Sequence, residues 1–232
     1  MVRKRAGRSS GRSRNDSRAR DCRVAPPCAA IVGEPTHTEV SAGDTVEGDD
    51  RLRLFLALEL PASVVEELVA WCRRHLARGR PVSSFHVTLA FLGSQPREAL
   101  EPIRRILREE AAVTVPFRLE PLHYRETRSV GMLVLADPSG EAARLADRLQ
   151  RRLEDVGVYQ REARPWLSHV TVLRFRERPR ISPPLPEIGL FAPSGAAAFL
   201  SRLHPSGARY EVLESCSLGV FHRDSEARRM KA

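Results

Sequence analysis

The hydrophobic pattern begins abruptly near residue 51. In "RLRLFLALELP" Leu52, Leu54, Leu56, Leu58 and Leu60 fall on one side of an extended chain, with Phe55 and Ala57 on the other, as in a strand buried on both faces. Pro61 opens a segment in which Val64, Val65, Leu68, Trp71, Cys72 and Leu76 recur at helical spacing until Gly79 and Pro81 end it. The next strand lies in "SSFHVTLAFLG", Ser83 to Gly93. Strict alternation there puts Phe85, Val87, Leu89 and Phe91 on one face and His86, Thr88 and Ala90 on the other. A core face thus backs onto a face that carries an imidazole and a hydroxyl.

A second helix is predicted over "PREALEPIRRILREEAA", with Leu100, Ile103 and Leu107 inward and Pro102 confined to its first turn. Two strands follow, "VPFRLEPL" and "VGMLVLA". A third helix lies in "DPSGEAARLADRLQRRLEDVG", with a turn and cap at Asp137 to Ser139, a stripe of Leu145, Leu149 and Leu153, and Gly157 beyond its end. The remainder reads mostly as strand, in "PWLSHVTVLRF", "GAAAFLSRL" and "ARYEVLESCSLGV". The order strand, helix, strand occurs at 52–92 and again at 130–175, which points to an internal duplication.

Residues 1–50 are low in large apolar side chains and show no period, and they predict a disordered extension. The folded part is expected over 51–222, with a charged tail at 223–232. The net charge of +9 divides unevenly: residues 1–23 hold nine bases and two acids (+7), residues 24–50 hold six acids and no base (−6), and 51–232 hold the remaining +8. A basic folded domain suits a polyanionic partner such as RNA, although the wealth of Arg and Ala fits a genomic compositional bias equally. No run of about 18 apolar residues and no apolar leader segment occurs, so a soluble, cytoplasmic protein, monomeric and off the membrane, is expected. Cys22, Cys28, Cys72 and Cys216 form no C-x-x-C pair, which argues against a zinc site or a disulfide framework.

The late strand contains "SHVTVLRF", which repeats the His-Val-Thr of the early one in the same context, on the strand after a helix. One such triplet in a strand is ordinary hydrogen-bonded packing more often than chemistry; two in matched strands point to a site. Two imidazoles can serve as general base and general acid in one displacement at phosphorus, and a Thr two residues along can donate to a phosphate oxygen. Asp and Glu are absent from both motif strands, which fits poorly with magnesium-dependent chemistry, and no cofactor is expected. A nucleotide- or RNA-binding module without catalysis, or the same catalysis on a small cyclic or 2′-5′ nucleotide, remains an alternative.

"HVTL" at 86–89 and "HVTV" at 169–172 resemble the two-histidine phosphoesterase superfamily. With "RLFLALELP", "RPWLSHVTVLR" and "LHPSGARYEVLESCSLG", the stretch from about 51 to 220 is similar to the RNA 2′,3′-cyclic phosphodiesterase family, also called 2′-5′ RNA ligase. The resemblance implies a bilobal α+β fold, two pseudo-symmetric antiparallel sheets with outer helices and a central cleft. It implies hydrolysis of RNA 2′,3′-cyclic phosphate ends, tRNA-like fragments among them, to 2′-phosphomonoesters, with 2′-5′ ligation as the reverse direction. It casts His86 as proton donor, His169 as proton acceptor, and Thr88 and Thr171 as phosphate ligands. Arg174 matches a family arginine at the phosphate, yet strict alternation turns it away from His169 unless a bulge or strand end intervenes. Ser168 stands where the family usually has Pro.

Overall fold

The computed structural model describes residues 51–76, 79–82, 84–204 and 207–219; the expected N-terminal extension and charged tail lie outside them. The elements are β1 (Arg51–Glu59), α1 (Ala62–His75), β2 (Arg80–Pro81), β3 (His86–Pro96), α2 (Leu100–Val113), β4 (Glu120–Glu126), β5 (Val130–Ala136), α3 (Glu141–Asp155), β6 (His169–Arg174), β7 (Gly195–His204) and β8 (Gly207–Cys216). All three expected helices form. Pro61 immediately precedes α1, and Arg73, Arg74 and His75 occupy its last turn, where positive charge meets the negative end of the helix dipole. A 3-10 turn at Arg97–Ala99 leads into α2, whose third residue is Pro102, where a missing N–H forfeits no helical bond. Asp137 and Ser139 cap α3: Ala143 N–H donates to Asp137 Oδ2 at 3.0 Å and Glu141 N–H to Ser139 Oγ at 3.2 Å.

Two elements differ from the sequence expectation. The strand expected over 115–122 begins later, at Glu120, and continues through "HYRE". Its outward polar residues hide the strand period, while Leu119 is instead held by a bridge to Phe191. The two residues of β2 lie within what reads as a helix stop. Gly79 opens that strand with φ +119°, and a Cβ there would meet the Arg174 carbonyl and the Leu173 side chain at 3.0 Å, so only glycine lets β2 dock so closely on β6.

The strands form one curled antiparallel sheet in the order β4-β5-β6-β3-β1-β7-β8, with β2 pairing to β6. Where the family resemblance implies two sheets, the hydrogen-bonded path is continuous, and at its middle β3 and β6 share a single pair, Val87 with Val170. The flanking registers correspond: Thr88 faces Ala57 as Thr171 faces Met132, and Phe91 faces Phe55 as Arg174 faces Val130.

One face of the sheet carries the main core, in which Leu54, Leu56, Leu58, Val87, Val170 and Val172 pack with the buried faces of α1, α2 and α3. The other face carries a small cluster made of strand residues alone: Phe55, Ala57, Ala197 and Phe199, with Tyr210 against them. β1 is therefore buried on both sides, as its sequence pattern requires. No helix among the described residues is long and apolar enough to cross a membrane.

Two buried carboxylates hold the periphery. Glu110 on α2 accepts from Arg148 Nε at 2.8 Å and Arg152 Nη1 at 3.0 Å on α3, while Arg148 Nη2 also donates to Thr114 Oγ1 at 2.8 Å. Glu126, at the end of β4, accepts from Arg178 Nε at 3.0 Å and from the backbone amides of Arg180 at 3.1 Å and Ile181 at 3.0 Å. Burial opposes ionisation of Glu126, but the Ile181 amide, the Arg178 guanidinium and the Arg180 amide together hold its carboxyl below the usual range.

A depressed folded-state pKa contributes stability above the unfolded carboxylate value and loses it as pH falls through the folded value. Glu126→Gln is therefore expected to lower stability by about 1–3 kcal/mol at pH 7 through the weakened anchor. The difference should close in acid, where the wild-type carboxyl is also protonated. Urea unfolding at pH 7 and in steps below about pH 4.3 checks both parts.

Candidate active site

The motif residues come together on the helix-free face of the sheet. Val87 and Val170, 0% and 1% exposed, point into the main core, so their neighbours His86, Thr88, His169 and Thr171 project from the opposite face. Because the two strands run antiparallel through the Val87–Val170 pair, His86 lies level with Thr171 and Thr88 level with His169. Each histidine thus stands beside the threonine of the other motif.

Beyond the threonines, both strands bulge at the same place. Along β3 the register passes from Thr88–Ala57 to Ala90–Leu56, and along β6 from Thr171–Met132 to Leu173–Gly131, so Leu89 and Val172 are the extra residues. Leu89, Ala90, Val172 and Leu173 all turn into the core, each 2% exposed or less. The consequence for β6 is that Arg174 returns to the face of His169 and Thr171. For β3 it corrects the alternation expected from the sequence: Ala90 joins the core, and Phe91 emerges beside the site, 51% exposed. Alternation breaks because two residues of the bulged strand answer one of its partner.

His86 sits against an aromatic wall. Its ring centroid is 4.9 Å from Phe55, 5.4 Å from Tyr210 in an edge arrangement and 6.0 Å from Phe199. Burial among these rings lowers its pKa from 6.5 to about 4; an approach to the Ser84 backbone works the other way, and the positive fields of Arg174 and His169 lower it further. That approach is not a formed hydrogen bond, for buried His86 Nδ1 has no partner among the described residues. Unliganded His86 is therefore neutral at pH 7.

His169 is oriented differently. Its Nδ1 lies 2.8 Å from the Leu167 carbonyl, an acceptor only, so Nδ1 carries the proton and the Nε2 lone pair is left for chemistry. The lead-in to β6 is tied to β3 by Trp166, whose Nε1–H donates to the Thr88 carbonyl at 2.9 Å. Trp166 packs against the core and Phe85 is buried within it. Ser168, the residue before the second histidine, is 5% exposed and its carbonyl accepts from the Leu135 amide at 2.9 Å, while its hydroxyl has no partner among the described residues.

The structure therefore brings His86, His169, Thr88, Thr171 and Arg174 to one face. Phe55, Phe199 and Tyr210 were not singled out from the sequence as site residues. The only sequence signal for them was that Phe55 alternates out of phase with the leucines of β1. From the β7–β8 hairpin it is Tyr210 that reaches His86; His204 and Arg209 are exposed at the far end of the same hairpin. Cys72 and Cys216 are free thiols, and burial pushes the Cys72 thiol up to about 12, leaving it inert. Where β6 ends, a hollow of about 720 Å³ opens, walled by Arg80, Arg174, Phe175, Arg176, Glu177 and Arg178.

Comparison with known proteins bears on this geometry. The family model of the 2′-5′ RNA ligase superfamily matches residues 59–202, more than half of the chain. A Thermus thermophilus protein named RNA 2′,3′-cyclic phosphodiesterase is 33% identical over 192 residues, covering 76% of this chain and 95% of its own. An Escherichia coli protein of the same name is 29% identical over 126 residues, covering 53% and 71%. Among solved structures, E. coli LigT in its apo form superposes with a TM-score of 0.64 at 25% identity, covering 72% of this chain and 99% of its own. A Thermus thermophilus structure does so with a TM-score of 0.64 at 29% identity, covering 74% and 100%. With a family model spanning both motifs and a relative above 30% identity along most of the chain, this protein belongs to the 2′-5′ RNA ligase superfamily.

Proposed function

We propose that the protein is an RNA 2′,3′-cyclic phosphodiesterase whose two histidines act as general acid and base on the terminal phosphate. The observation that carries this reading is the common face: two imidazoles, two hydroxyls and one guanidinium project from adjacent strands, each imidazole level with the other motif's threonine. The names of the relatives support the substrate. The two strand–helix–strand halves act as pseudo-symmetric copies, one histidine from each, with the substrate phosphate between them.

His169 takes the proton-accepting part, because its Nδ1–H is committed to the Leu167 carbonyl and its Nε2 is free to deprotonate water. The water oxygen attacks phosphorus, the P–O3′ bond breaks, and His86 delivers a proton to the departing 3′-oxygen. The product is a 2′-phosphomonoester with a 3′-hydroxyl. A 5′-hydroxyl in place of water gives a 2′-5′ phosphodiester by the same displacement. Thr88, Thr171 and Arg174 hold the non-bridging oxygens; arginine suits that task through its paired N–H groups. Neither a metal nor an organic cofactor takes part in these steps.

His86 must carry a proton to donate it, yet with a pKa of about 4 it does so in only about one molecule in a thousand at pH 7. The anionic phosphate resolves this. Once bound, it screens Arg174, adds a negative field beside the ring and favours the imidazolium, so substrate binding and proton uptake by His86 are coupled. The same aromatic wall that keeps the empty site neutral then strengthens that charge interaction, since it excludes water.

On an oligonucleotide ending in a 2′,3′-cyclic phosphate, assayed in excess chelator, the wild-type chain is expected to yield the 2′-phosphate. His86→Ala and His169→Ala should each lower kcat by about 100-fold or more. Full activity of either variant, or product formation that stops on chelation, would refute the paired-histidine reading. A well-folded chain that binds the RNA end without turning it over would favour the binding module.

The pH profile supplies a second measurement. In the free protein the acidic limb of kcat/KM marks the lower of the two imidazole pKa values whichever histidine donates, and His86, held down by burial, should place it near pH 4, well below that of an ordinary histidine. Tyr210→Ala, by admitting water to the His86 ring, should move that limb upward toward 6.5. A limb that stays near 6.5 in both proteins would contradict the buried-histidine account.

A further inference from the structure

The hollow at the end of β6 is basic well beyond what one phosphate requires. Four arginines, Arg80, Arg174, Arg176 and Arg178, wall it against a single acid, Glu177. Arg178 is already engaged by the buried carboxylate of Glu126, which also grips the Arg180 and Ile181 amides and so fixes that wall. Among the described residues Arg80, Arg174 and Arg176 enter no ion pair. These are exposed guanidiniums with donors to spare.

The register between β2 and β6 sharpens the point. Arg80 and Arg174 are a directly opposed antiparallel pair, so their side chains leave the sheet on the same face, one beside the other. Like charges in that relation repel, and a fold that places them there, on a strand only two residues long and seated through Gly79, gains nothing from them by itself. An anion between the two guanidiniums turns the repulsion into paired hydrogen bonds. Arg174 in turn stands on the face of His169 and Thr171, so one side chain belongs both to that face and to the wall of the hollow.

We infer that the hollow walled by Arg80 and Arg176 is a second phosphate subsite, which takes the next phosphodiester of an RNA strand whose cyclic end lies at the histidines. This rests on the phosphodiesterase reading and adds a substrate class to it: an oligonucleotide in preference to a cyclic mononucleotide. A basic groove that tracks the backbone recognises a single strand without reading its sequence, so the preference is for length. Arg174 lies between the two phosphates, with the reacting one on its His169 side and the following one on its Arg80 side.

The test compares kcat/KM for a short oligonucleotide ending in a 2′,3′-cyclic phosphate with that for the cyclic mononucleotide, over a range of salt, in the wild type and in an Arg80→Gln, Arg176→Gln double variant. The wild type is expected to favour the oligonucleotide by about tenfold or more. The double variant should lose most of that preference while its mononucleotide rate stays within about twofold. Its salt slope for the oligonucleotide should be shallower by about 0.7, as expected when one phosphate contact is removed from a single strand. Equal losses on both substrates, or no change on either, would overturn the subsite. If the wild type turns over neither substrate, the phosphodiesterase reading fails separately, and the same slopes are then read from binding of an oligonucleotide ending in a 2′-phosphate; slopes equal in both proteins would overturn the subsite there too.

Discussion

Val87 and Val170 pair across the middle of the sheet, both excluded from water, and that one contact governs which side chains can meet on the other face. In a strand the neighbours of a buried residue must point away from it, so two buried valines in register force four motif side chains out together. The antiparallel sense then interleaves them, each histidine beside the threonine of the other copy. A slip of one residue in this register would bury the imidazoles and expose the valines, which is why the apolar core beneath holds the site in place.

The paired bulges are the second constraint, and they act differently in the two copies. In both, one extra residue and the one after it are absorbed into the core, and the second residue after it is turned back to the site face. In β6 that residue is Arg174, a cation for the phosphate. In β3 it is Phe91, which lies over Phe55 at 6.5 Å and beneath the Arg53 guanidinium at 5.1 Å. The same backbone device thus gives one half of the site its charge and the other an apolar flank.

Electrostatics follow from that asymmetry. Aromatic burial beside one imidazole and an open arginine-walled hollow beside the other end of the motif strands create a site that is neutral at His86 when empty and primed for an anion. Glu126 braces the wall of that hollow through Arg178, while Glu110 joins α2 to α3. Glu110 is satisfied by two arginines of α3, Arg148 and Arg152, and Glu126 by Arg178 and the Arg180 and Ile181 amides, so each fixes a segment that the sheet alone does not hold.

Much of this was legible in the sequence, because helix and strand periods follow from local geometry. The leucines of β1, the stripes of the three helices and the repeated His-Val-Thr needed no knowledge of distant partners, and the repeat itself named the two histidines and two threonines. The family resemblance supplied Arg174, whereas alternation alone turned it away. What the sequence could not determine was whatever depends on two strands at once. The bulge that rescues Arg174 and turns out Phe91 is a mismatch between partners, invisible along either one. The aromatic wall at His86 joins β1, β7 and β8, and the opposition of Arg80 to Arg174 joins a helix stop to a motif strand about ninety residues away. Those contacts, and the pKa and charge that follow from them, belong to the tertiary structure because burial and field are properties of neighbours in space.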